Sequence, residues 1–537
     1  MLRYARAIFI LGILCIAPVA AAQDATGLDL GGGLVANGDA ERYLRVLQLL
    51  GEVPQHPVAI RPWNRHEMKR LTPTGDHPWA SRFSTPDNST SGSGLQILRA
   101  SARVTWNTGA PGNDGAVWFG RGLTLDGSAG VRYTIGPLDL QLAPLAFVAQ
   151  NQAFALAPNG NSGAGALGDA RFPGRIDLPQ RFGASAYARV DLGNTRISID
   201  TRAISVGFSS APLAWGPARD EPLTLGPNGG GFPHLYAGTG EPWPIGIGTL
   251  HVKLIAGRLG QSAWSPVTSG DQSRFLSGVV ATVEPRGVPG LELGFVRTAM
   301  LIWHDATWRS VFRPLSGVIN NPVGGTANLD AEHQYASAFL RWALAPNGFE
   351  VYAEYGKQDF IGSLRALALK PDDLGNLLLG VQRAFRSSRG VRVYRVELVN
   401  AELSANERGQ RGFTQPLLPY VHNGDPAQGE TVNGLLLGSE TAEGGAGWRI
   451  ATDEYTAKGR LTWSLERRLV MDWLPVTPPA QGFAPEVRYT LGLDVMRFRG
   501  RLSEIGASVG LSYTFNRNTV QGQDAVGLQT SVRWRGF

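Results

Sequence analysis

A glycine- and proline-rich stretch in the middle of the chain collects aromatic rings together with charged side chains. Residues 213–236 read LAWGPARDEPLTLGPNGGGFPHLY. Aromatic rings offer flat apolar faces, and guanidinium and carboxylate groups form paired hydrogen bonds with carboxylates and hydroxyls. The candidate glycan contacts in this stretch are Trp215, Arg219, Asp220 and His234. A second loop of similar composition adds Tyr420 and His422 as candidates.

Each of these candidates also has a purely structural interpretation. Trp215 would suit the interfacial aromatic girdle of a membrane barrel. Arg219 and Asp220 could pair with each other or hold their loop in place through internal hydrogen bonds. The sequence leaves glycan contact and structural support open for all of them.

The stretch FEVYAEYGKQD at 349–359 alternates, which predicts a strand with two unlike faces. Tyr352 and Glu354 share its polar face with Glu350 and join the candidate contacts. Two carboxylates four residues apart could form an acid–base pair, but a network with interior arginines explains them better. Because the chain has no P-loop sequence, and interior arginines account for the paired carboxylates, we predict no enzyme and no catalytic residue.

The histidines and the single cysteine do not form a metal-binding pattern. His56, His66 and His77 are too far apart for the usual H-x₃₋₅-H spacing of zinc ligands. Cys15 lies in the first segment, which we expect to be removed, so no disulfide or thiolate site is expected. We therefore predict no metal site and no cofactor.

The first 22 residues have the features of a secretory signal peptide. Arg3 and Arg6 precede a short apolar core, and Ala20-Ala21-Ala22 offers a cleavage site before Gln23. The apolar run is too short for a membrane-spanning helix. We therefore predict an exported protein, with residues 1–22 as its signal peptide.

The composition favours a membrane barrel over a soluble enzyme. Charged residues make up 18% of the chain, against roughly 25% in ordinary soluble domains, and mean hydropathy is only −0.10. Strands that alternate between apolar and polar residues average to such a value. A formal charge of +6 over 537 residues is too dilute to indicate a nucleic-acid partner. The strong preference for arginine over lysine suits acidic glycans or lipopolysaccharide, although genomic base composition would produce the same bias.

The chain divides into a helical part and a strand-rich part. In 23–95, Asp39 could cap a helix through ERYLRVLQLLGEV, and a second helix could follow Pro62 through RHEMKRL. A polar linker covers 84–94. We predict a small periplasmic helical region and linker over 23–95, and an outer-membrane β-barrel over 96–537.

Strand patterns recur from residue 98 to the end of the chain. A hairpin is predicted around 184–202 with a turn near Gly193-Asn194, and another around 336–355. The last residues, VGLQTSVRWRGF, place their apolar residues on one face and end on Phe537, as outer-membrane barrels do. About 440 residues, at roughly 24 per strand and connection, give on the order of 18 strands. The predicted fold class is all-β transmembrane: a closed antiparallel barrel with a small N-terminal periplasmic helical region.

Several motifs in order resemble the capsule assembly protein Wzi family of outer-membrane proteins. They are W-G-P-x-R-D-x-P-L-x-L with F-P-H-L in 213–236, LRVLQLLGEV followed by Pro62-Trp63, Gly120-Arg121-Gly122, FEVYAEYGKQD, and YVHNGDPAQGETVNGLLLG at 420–438. The resemblance covers most of the mature chain. It implies a barrel of about 18 strands with a periplasmic helical bundle and an occluded lumen.

The resemblance also implies a function without turnover: binding of capsular polysaccharide at the cell surface and organisation of the capsule. The expected partners are capsular or surface polysaccharide, outer-membrane lipid and lipopolysaccharide, and the barrel-assembly machinery during biogenesis, with no nucleic acid. The expected location is the outer membrane. Polar, arginine-bearing strand faces leave a porin or sugar-selective channel as the alternative, and an outer-membrane hydrolase as a more distant one.

Overall fold

The computed structural model describes most of the chain after the predicted signal peptide. The described residues are 36, 38–73, 75–83, 94–267, 272–316, 332–358, 364–369, 371, 375–402, 420–421, 427–474, 482–500 and 503–536. The signal peptide, most of the predicted linker, His422 and Phe537 lie outside them.

The strands form one closed antiparallel barrel of 18 strands, which confirms the predicted fold class. The barrel strands are β1 Gly94–Asn107, β2 Gly122–Ile135, β3 Leu138–Leu142 with Leu145–Ala149, β4 Tyr187–Asp191 with Arg196–Asp200, β5 Ile204–Ser209, β6 His234–Thr239 with Trp243–Ile245, β7 Gly248–Leu259, β8 Arg274–Pro285, β9 Leu291–Ile302, β10 His333–Leu344, β11 Phe349–Gln358, β12 Gly375–Ser387, β13 Gly390–Asn400, β14 Ala446–Thr456, β15 Gly459–Met471, β16 Glu486–Arg499, β17 Ser503–Phe515 and β18 Ala525–Gly536. β18 pairs with β1, so the first and last strands close the barrel.

The connections differ sharply between the two ends of the barrel. At one end, the short-turn end, successive strands are joined by at most five residues; at the other, the long-loop end, by nine or more. In outer-membrane barrels the short turns face the periplasm and the long loops face the outside. The last strand follows the predicted alternation, because Val526, Val532 and Trp534 are 66%, 59% and 38% exposed on the outer face.

The predicted hairpin around 184–202 is wrong. Residues 187–191 and 196–200 do not pair with each other; they pair with successive parts of β3 and form one interrupted strand, β4. The interruption near Gly193 lies beside the break in β3, with a bridge from Gly193 to Ala143. A glycine–asparagine pair therefore marks an irregularity within the wall rather than a reversal of the chain. The hairpin around 336–355 is confirmed by the pairing of β10 with β11.

Three described α-helices accompany the barrel: α1 Asp39–Leu49, α2 Arg65–Arg70 and α3 Leu364–Leu369. The N-cap of α1 is Gly38, with Asp39 in the first turn, so the predicted cap is off by one residue. Asn64 caps α2 by accepting from the backbone N–H groups of His66 and Glu67. Pro62 thus precedes the cap instead of occupying the first turn. Within the described ranges no helix is long and apolar enough to cross a membrane.

The N-terminal part, residues 38–83, packs inside the short-turn end of the barrel, and we call it the N-terminal plug. The apolar face of α1, with Tyr43, Leu44 and Leu47, joins a core with Val393 of β13 and Tyr455 of β14. Burial of the apolar face of α1 fixes the plug to the wall.

The described residues also form short 3-10 helices, at Ala80–Arg82, Gly163–Leu167, Trp303–Asp305, Trp308–Leu315, Ala345–Asn347 and Arg517–Thr519.

Loops from the long-loop end fold back into the lumen and fill its centre. Residues 60–61 of the N-terminal plug pair with residues 214–215 of the β5–β6 loop. Two further short hairpins, Gly112–Asp114 with Val117–Phe119 and Thr431–Val432 with Leu435–Leu436, lie within loops. The interior is thus occupied by chain segments from both ends.

Candidate functional site

The W-G-P-A-R-D stretch is fastened to the barrel wall by one carboxylate. Glu397, on β13, is 3% exposed and accepts backbone N–H groups of Arg219, Asp220 and Glu221 at 3.0, 3.1 and 2.5 Å. The Tyr352 hydroxyl donates to the same carboxylate at 2.6 Å. Three successive amides directed at one anion form a compact anion-binding turn. In this protein the side chain of Glu397 is the anion that occupies the turn.

The Arg219 and Asp220 side chains extend this attachment to neighbouring strands. Arg219 donates to Gln382 of β12 at 2.6 Å and to Asp453 of β14 at 3.0 Å. Asp220 accepts from Arg395 of β13, which also donates to Asp453 at 3.1 Å. Arg219 and Asp220 therefore do not pair with each other. Their contacts agree with the structural interpretation in which they hold the loop inside the lumen.

Trp215 lies in the middle of the lumen rather than in an interfacial girdle. Its side chain is completely buried in a core with Ile255 of β7 and Val280 of β8. A Cβ on Gly278 would lie 2.9 Å from the Trp215 ring, so glycine at 278 allows the ring to touch the wall. The girdle interpretation of Trp215 is wrong.

The other described candidates are also buried. His234 Nδ1–H donates to the Phe232 carbonyl at 2.7 Å, and Glu354 accepts from the Ser337 hydroxyl at 2.6 Å. Tyr352 and Tyr420 belong to one core cluster, and the Tyr420 hydroxyl donates to the carbonyl of Leu223. As predicted, Tyr352, Glu354 and Glu350 face the lumen. Glycan contact by these residues, and by His422 outside the described residues, stays a prediction.

A cavity of about 990 Å³ remains between the filled centre and one side of the wall. It is lined by inward residues of β14–β18, β1 and β2, by α1 and by the turned-in loops. It extends from Arg99 and Arg535 at the short-turn end to Asn107 and Gly527 at the long-loop end. Among the eight predicted contacts, Asp220 is the one that lines it within the described chain.

The lining of this cavity is strongly charged but nearly balanced. Its basic residues are all arginine and are matched by carboxylates from the wall and the loops. Trp534 is the one aromatic residue among the described residues around it, and its side chain lies on the outer face of β18. A ligand bound here would therefore be held by charged hydrogen bonds rather than by stacking on rings.

Two inward arginines face each other across adjacent strands at the long-loop end of the cavity. Arg468 of β15 and Arg488 of β16 are direct register partners, and both line the cavity. Like charges directly opposite each other destabilise a sheet. Glu440 pairs with Arg468, and Glu486 lies 3.6 Å from Arg488. The arrangement has the chemistry to bind a further carboxylate or phosphate.

Arginines around the cavity lower the pKa of acidic side chains in the loops and in the plug. Burial raises the pKa of Glu440, but the charge of Arg468 and its hydrogen bond outweigh burial and lower that pKa below its usual value. At the opposite end of the cavity, burial raises the pKa of Asp39, while the charges of Arg460 and Arg533 bring it down to about 2. Both carboxyl groups are therefore ionised at neutral pH.

The pKa of Glu221 is instead raised, and we therefore expect the stability of the protein to depend on pH. Burial first, and then the charge of Glu466, raise the pKa of Glu221 to about 7, whereas an unfolded glutamate titrates near about 4.3. Because the folded state binds this proton more tightly, stability falls as the pH rises through the interval between these values. We expect Glu221→Gln to flatten the dependence of the urea midpoint on pH between pH 5 and pH 8 (roughly the interval of that linkage). Glu402→Gln is the matched control, and an unchanged slope in Glu221→Gln would contradict the assignment.

The fold also assembles three possible metal ligands that sequence spacing did not indicate. The His56 and His251 Nε2 atoms lie 3.0 and 3.5 Å from Glu67 Oε1, and all three groups are buried. Ligands held tetrahedrally at about 2.1 Å would be about 3.4 Å apart, so a zinc-sized ion could fit. Ion pairing and hydrogen bonding between imidazoles and carboxylate account for the same distances. The group links the N-terminal plug to β7.

Sequence reasoning missed the wall residues that complete the site. Glu397, Arg395 and Asp453 lie far along the chain from the W-G-P stretch, and their roles depend on pairing across strands. One signal was present: Arg395 and Glu397 alternate with the apolar residues Tyr394, Val396 and Leu398 in VYRVELVN. Charged residues on the inner face of a strand of this kind indicate a buried polar network.

Comparison with known proteins supports the fold. No protein-family model matches the sequence, and no curated protein matches it. Among solved structures, Wzi of Escherichia coli, described as an outer-membrane protein involved in group 1 capsule assembly and a carbohydrate-binding β-barrel, has a TM-score of 0.62 at 14% identity. The match covers 94% of this chain and 99% of that one.

Two other barrels have lower similarity. OpdQ of Pseudomonas aeruginosa has a TM-score of 0.38 at 8% identity, covering 82% of this chain and 96% of its own. OccAB2 of Acinetobacter baumannii has a TM-score of 0.39 at 10% identity, covering 82% and 98%. By its match to Wzi, the protein is a Wzi-like outer-membrane β-barrel in its fold.

Proposed function

We propose that this protein binds acidic surface or capsular polysaccharide and helps to attach or organise a capsule, without catalysing a reaction. The observation that carries the proposal is the facing pair Arg468 and Arg488, exposed to a polar cavity at the long-loop end. Guanidinium groups bind carboxylates in a planar, two-pronged geometry. Acidic sugar units would relieve the repulsion between the two arginines. The likeness in fold to a carbohydrate-binding barrel supports the same function.

Within this proposal, the eight predicted residues divide by position. Asp220 lines the cavity and is proposed to contact bound sugar directly. The buried candidates, among them Trp215, Arg219 and Tyr420, are proposed to act by positioning the loops around it. The N-terminal plug, as part of residues 23–95, is proposed to face the periplasm because it packs at the short-turn end. Outer-membrane lipid and the barrel-assembly machinery are the further proposed partners.

Replacing the two facing arginines tests this function. We expect Arg468→Gln/Arg488→Gln to weaken binding of a uronic-acid-containing polysaccharide by about a hundredfold or more, since each of the two lost charged hydrogen bonds is worth about 1.5–3 kcal/mol. Neutral glycans should be affected less. The measurement is glycan-array and titration binding with the purified full-length barrel.

The matched control is Arg392→Gln, which removes a guanidinium that pairs with Glu454 and does not line the cavity. Wild-type protein that binds no acidic glycan, or a double variant that binds as well as wild type, would contradict the proposal. So would a normally attached capsule on cells that lack the gene.

A porin or sugar-selective channel is the second candidate, and one observation favours it. The cavity follows β15–β18 and β1 from one end of the barrel to the other, as a diffusion path would. Planar-bilayer conductance separates the two functions. Steady open channels would support the channel, whereas a silent wild-type barrel would support the occluded, polysaccharide-binding one.

A further inference from the structure

The connection between β9 and β10 folds over the outside of the barrel wall. Its described part, residues 303–316, holds the 3-10 helices Trp303–Asp305 and Trp308–Leu315, and we call it the outer segment. Its longer helix packs against β8 and β9. The guanidinium of Arg297, on β9, donates to the backbone carbonyl of Ser316.

The parity of β9 establishes that this contact lies on the outer face. Glu292 and Met300 point into the lumen, where they meet the N-terminal plug and the central core. Residues of odd number between them therefore point outward. Arg297 and Ala299 are nevertheless 1% and 0% exposed, whereas Leu293, nearer the short turn on the same face, is 43% exposed. The outer segment covers the part of this face that lies nearest the long-loop end.

The outer segment in turn presents a second apolar surface away from the barrel. Trp308, Phe312 and Leu315 are 72%, 52% and 58% exposed, and the three-residue spacing of Phe312 and Leu315 places those two on one side of the 3-10 helix. Exposed apolar groups of this size on a short segment mark an interaction surface.

Positive charges lie beside the two tryptophan rings of the outer segment, Trp303 and Trp308. The Arg309 guanidinium is 5.6 Å from the Trp308 ring, and the Arg258 guanidinium is 5.8 Å from the ring of Trp303. Both arginines are exposed. Aromatic and basic residues occur together where a protein meets the boundary between acyl chains and phosphate-bearing head groups.

We propose that the outer segment is an interfacial anchor that binds lipopolysaccharide in the outer leaflet. The segment lies on the lipid-facing side near the long-loop end, so its apolar surface continues the apolar outer face of the barrel. Trp308, Phe312 and Leu315 contact acyl chains, and Arg258 and Arg309 contact the phosphates. The anchor would hold the barrel rim at a fixed depth in the outer leaflet.

Titration of purified full-length protein with lipopolysaccharide tests the anchor. We expect Trp308→Ala/Phe312→Ala to weaken binding by about tenfold or more, because each buried side chain contributes about 1.5–3 kcal/mol. Arg309→Gln should weaken it mainly at low salt, since salt screens the phosphate contact. The matched control is Leu340→Ala/Trp342→Ala, which alters outward residues of 43% and 40% exposure nearer the short-turn end.

Heat-dependent electrophoretic mobility establishes that every variant is folded. Weaker binding in the segment variants with unchanged binding in the control supports the anchor. Unchanged binding in Trp308→Ala/Phe312→Ala overturns it. Two further outcomes also overturn it: phosphatidylglycerol competing as well as lipopolysaccharide, or a change in self-association alone, which would assign the surface to a second copy of the chain.

Discussion

Replacing Glu397 with alanine is expected to release the W-G-P loop from the barrel wall while leaving the barrel closed. The substitution removes the acceptor of three backbone N–H groups and of the Tyr352 hydroxyl. Each donor left buried without a partner costs about 1–3 kcal/mol. We therefore expect the amides of 219–221 to exchange hydrogen about a hundredfold faster or more, as measured by hydrogen-exchange mass spectrometry.

Two variants sharpen this test. Glu397→Gln keeps one acceptor oxygen and should retain part of the protection. Glu454→Ala removes a glutamate of β14 that makes a single, partly exposed pair with Arg392, and should change stability by less than about 1 kcal/mol. If the amides of 219–221 stay protected in Glu397→Ala, the carboxylate is not what fastens the loop.

Replacing Trp79 with alanine is expected to loosen the N-terminal plug. Trp79 is completely buried, and its ring lies 4.4 Å from Tyr43 of α1, 5.2 Å from Tyr455 of β14 and 5.3 Å from Phe498 of β16. Its Nε1–H donates to the Thr456 carbonyl at 3.1 Å. Emptying such a site costs about 3–5 kcal/mol, which should appear as a lower urea midpoint for the plug.

Trp463→Ala provides the matched control, because this tryptophan of β15 is 50% exposed on the outer face and does not touch the plug. It should leave the plug's urea midpoint unchanged. A released plug should also open a path through the short-turn end, so Trp79→Ala should conduct in bilayers even if the wild type is silent. Equal midpoints for Trp79→Ala and wild type would show that other contacts of α1 hold the plug.

Local patterns in the chain were sufficient for much of this architecture. Alternation in β10, β11 and the last strand predicts which side of each strand faces lipid, since side chains point to opposite faces at every second residue. The two N-terminal helices were predictable from their apolar spacing and proline boundaries. Their caps were less so, because a cap depends on one hydrogen bond whose donor and acceptor the pattern does not specify.

The candidate site was predictable by residue type but not by role. The W-G-P loop carries the polar and aromatic residues of a binding loop, yet Trp215 and Arg219 are buried by contacts with strands whose residues lie far along the chain. The chain's histidine spacing gave no indication that His56 and His251 meet at Glu67. Residues 192–195 interrupt β4, whereas the sequence predicts a hairpin turn there. The prediction fails because the same residue types occur at strand irregularities and at chain reversals.

Periodicity and composition thus specify a barrel, its strands and their two faces, because these depend on residues close together in the chain. Only the closed tertiary structure decides what fills the lumen, where a cavity remains and which arginines face each other across it. Those features depend on strand register, and a shift of one residue would turn Arg468 or Arg488 toward lipid. The same dependence on register places the outer segment over β8 and β9 and so leaves Trp308 exposed on the outside of the barrel.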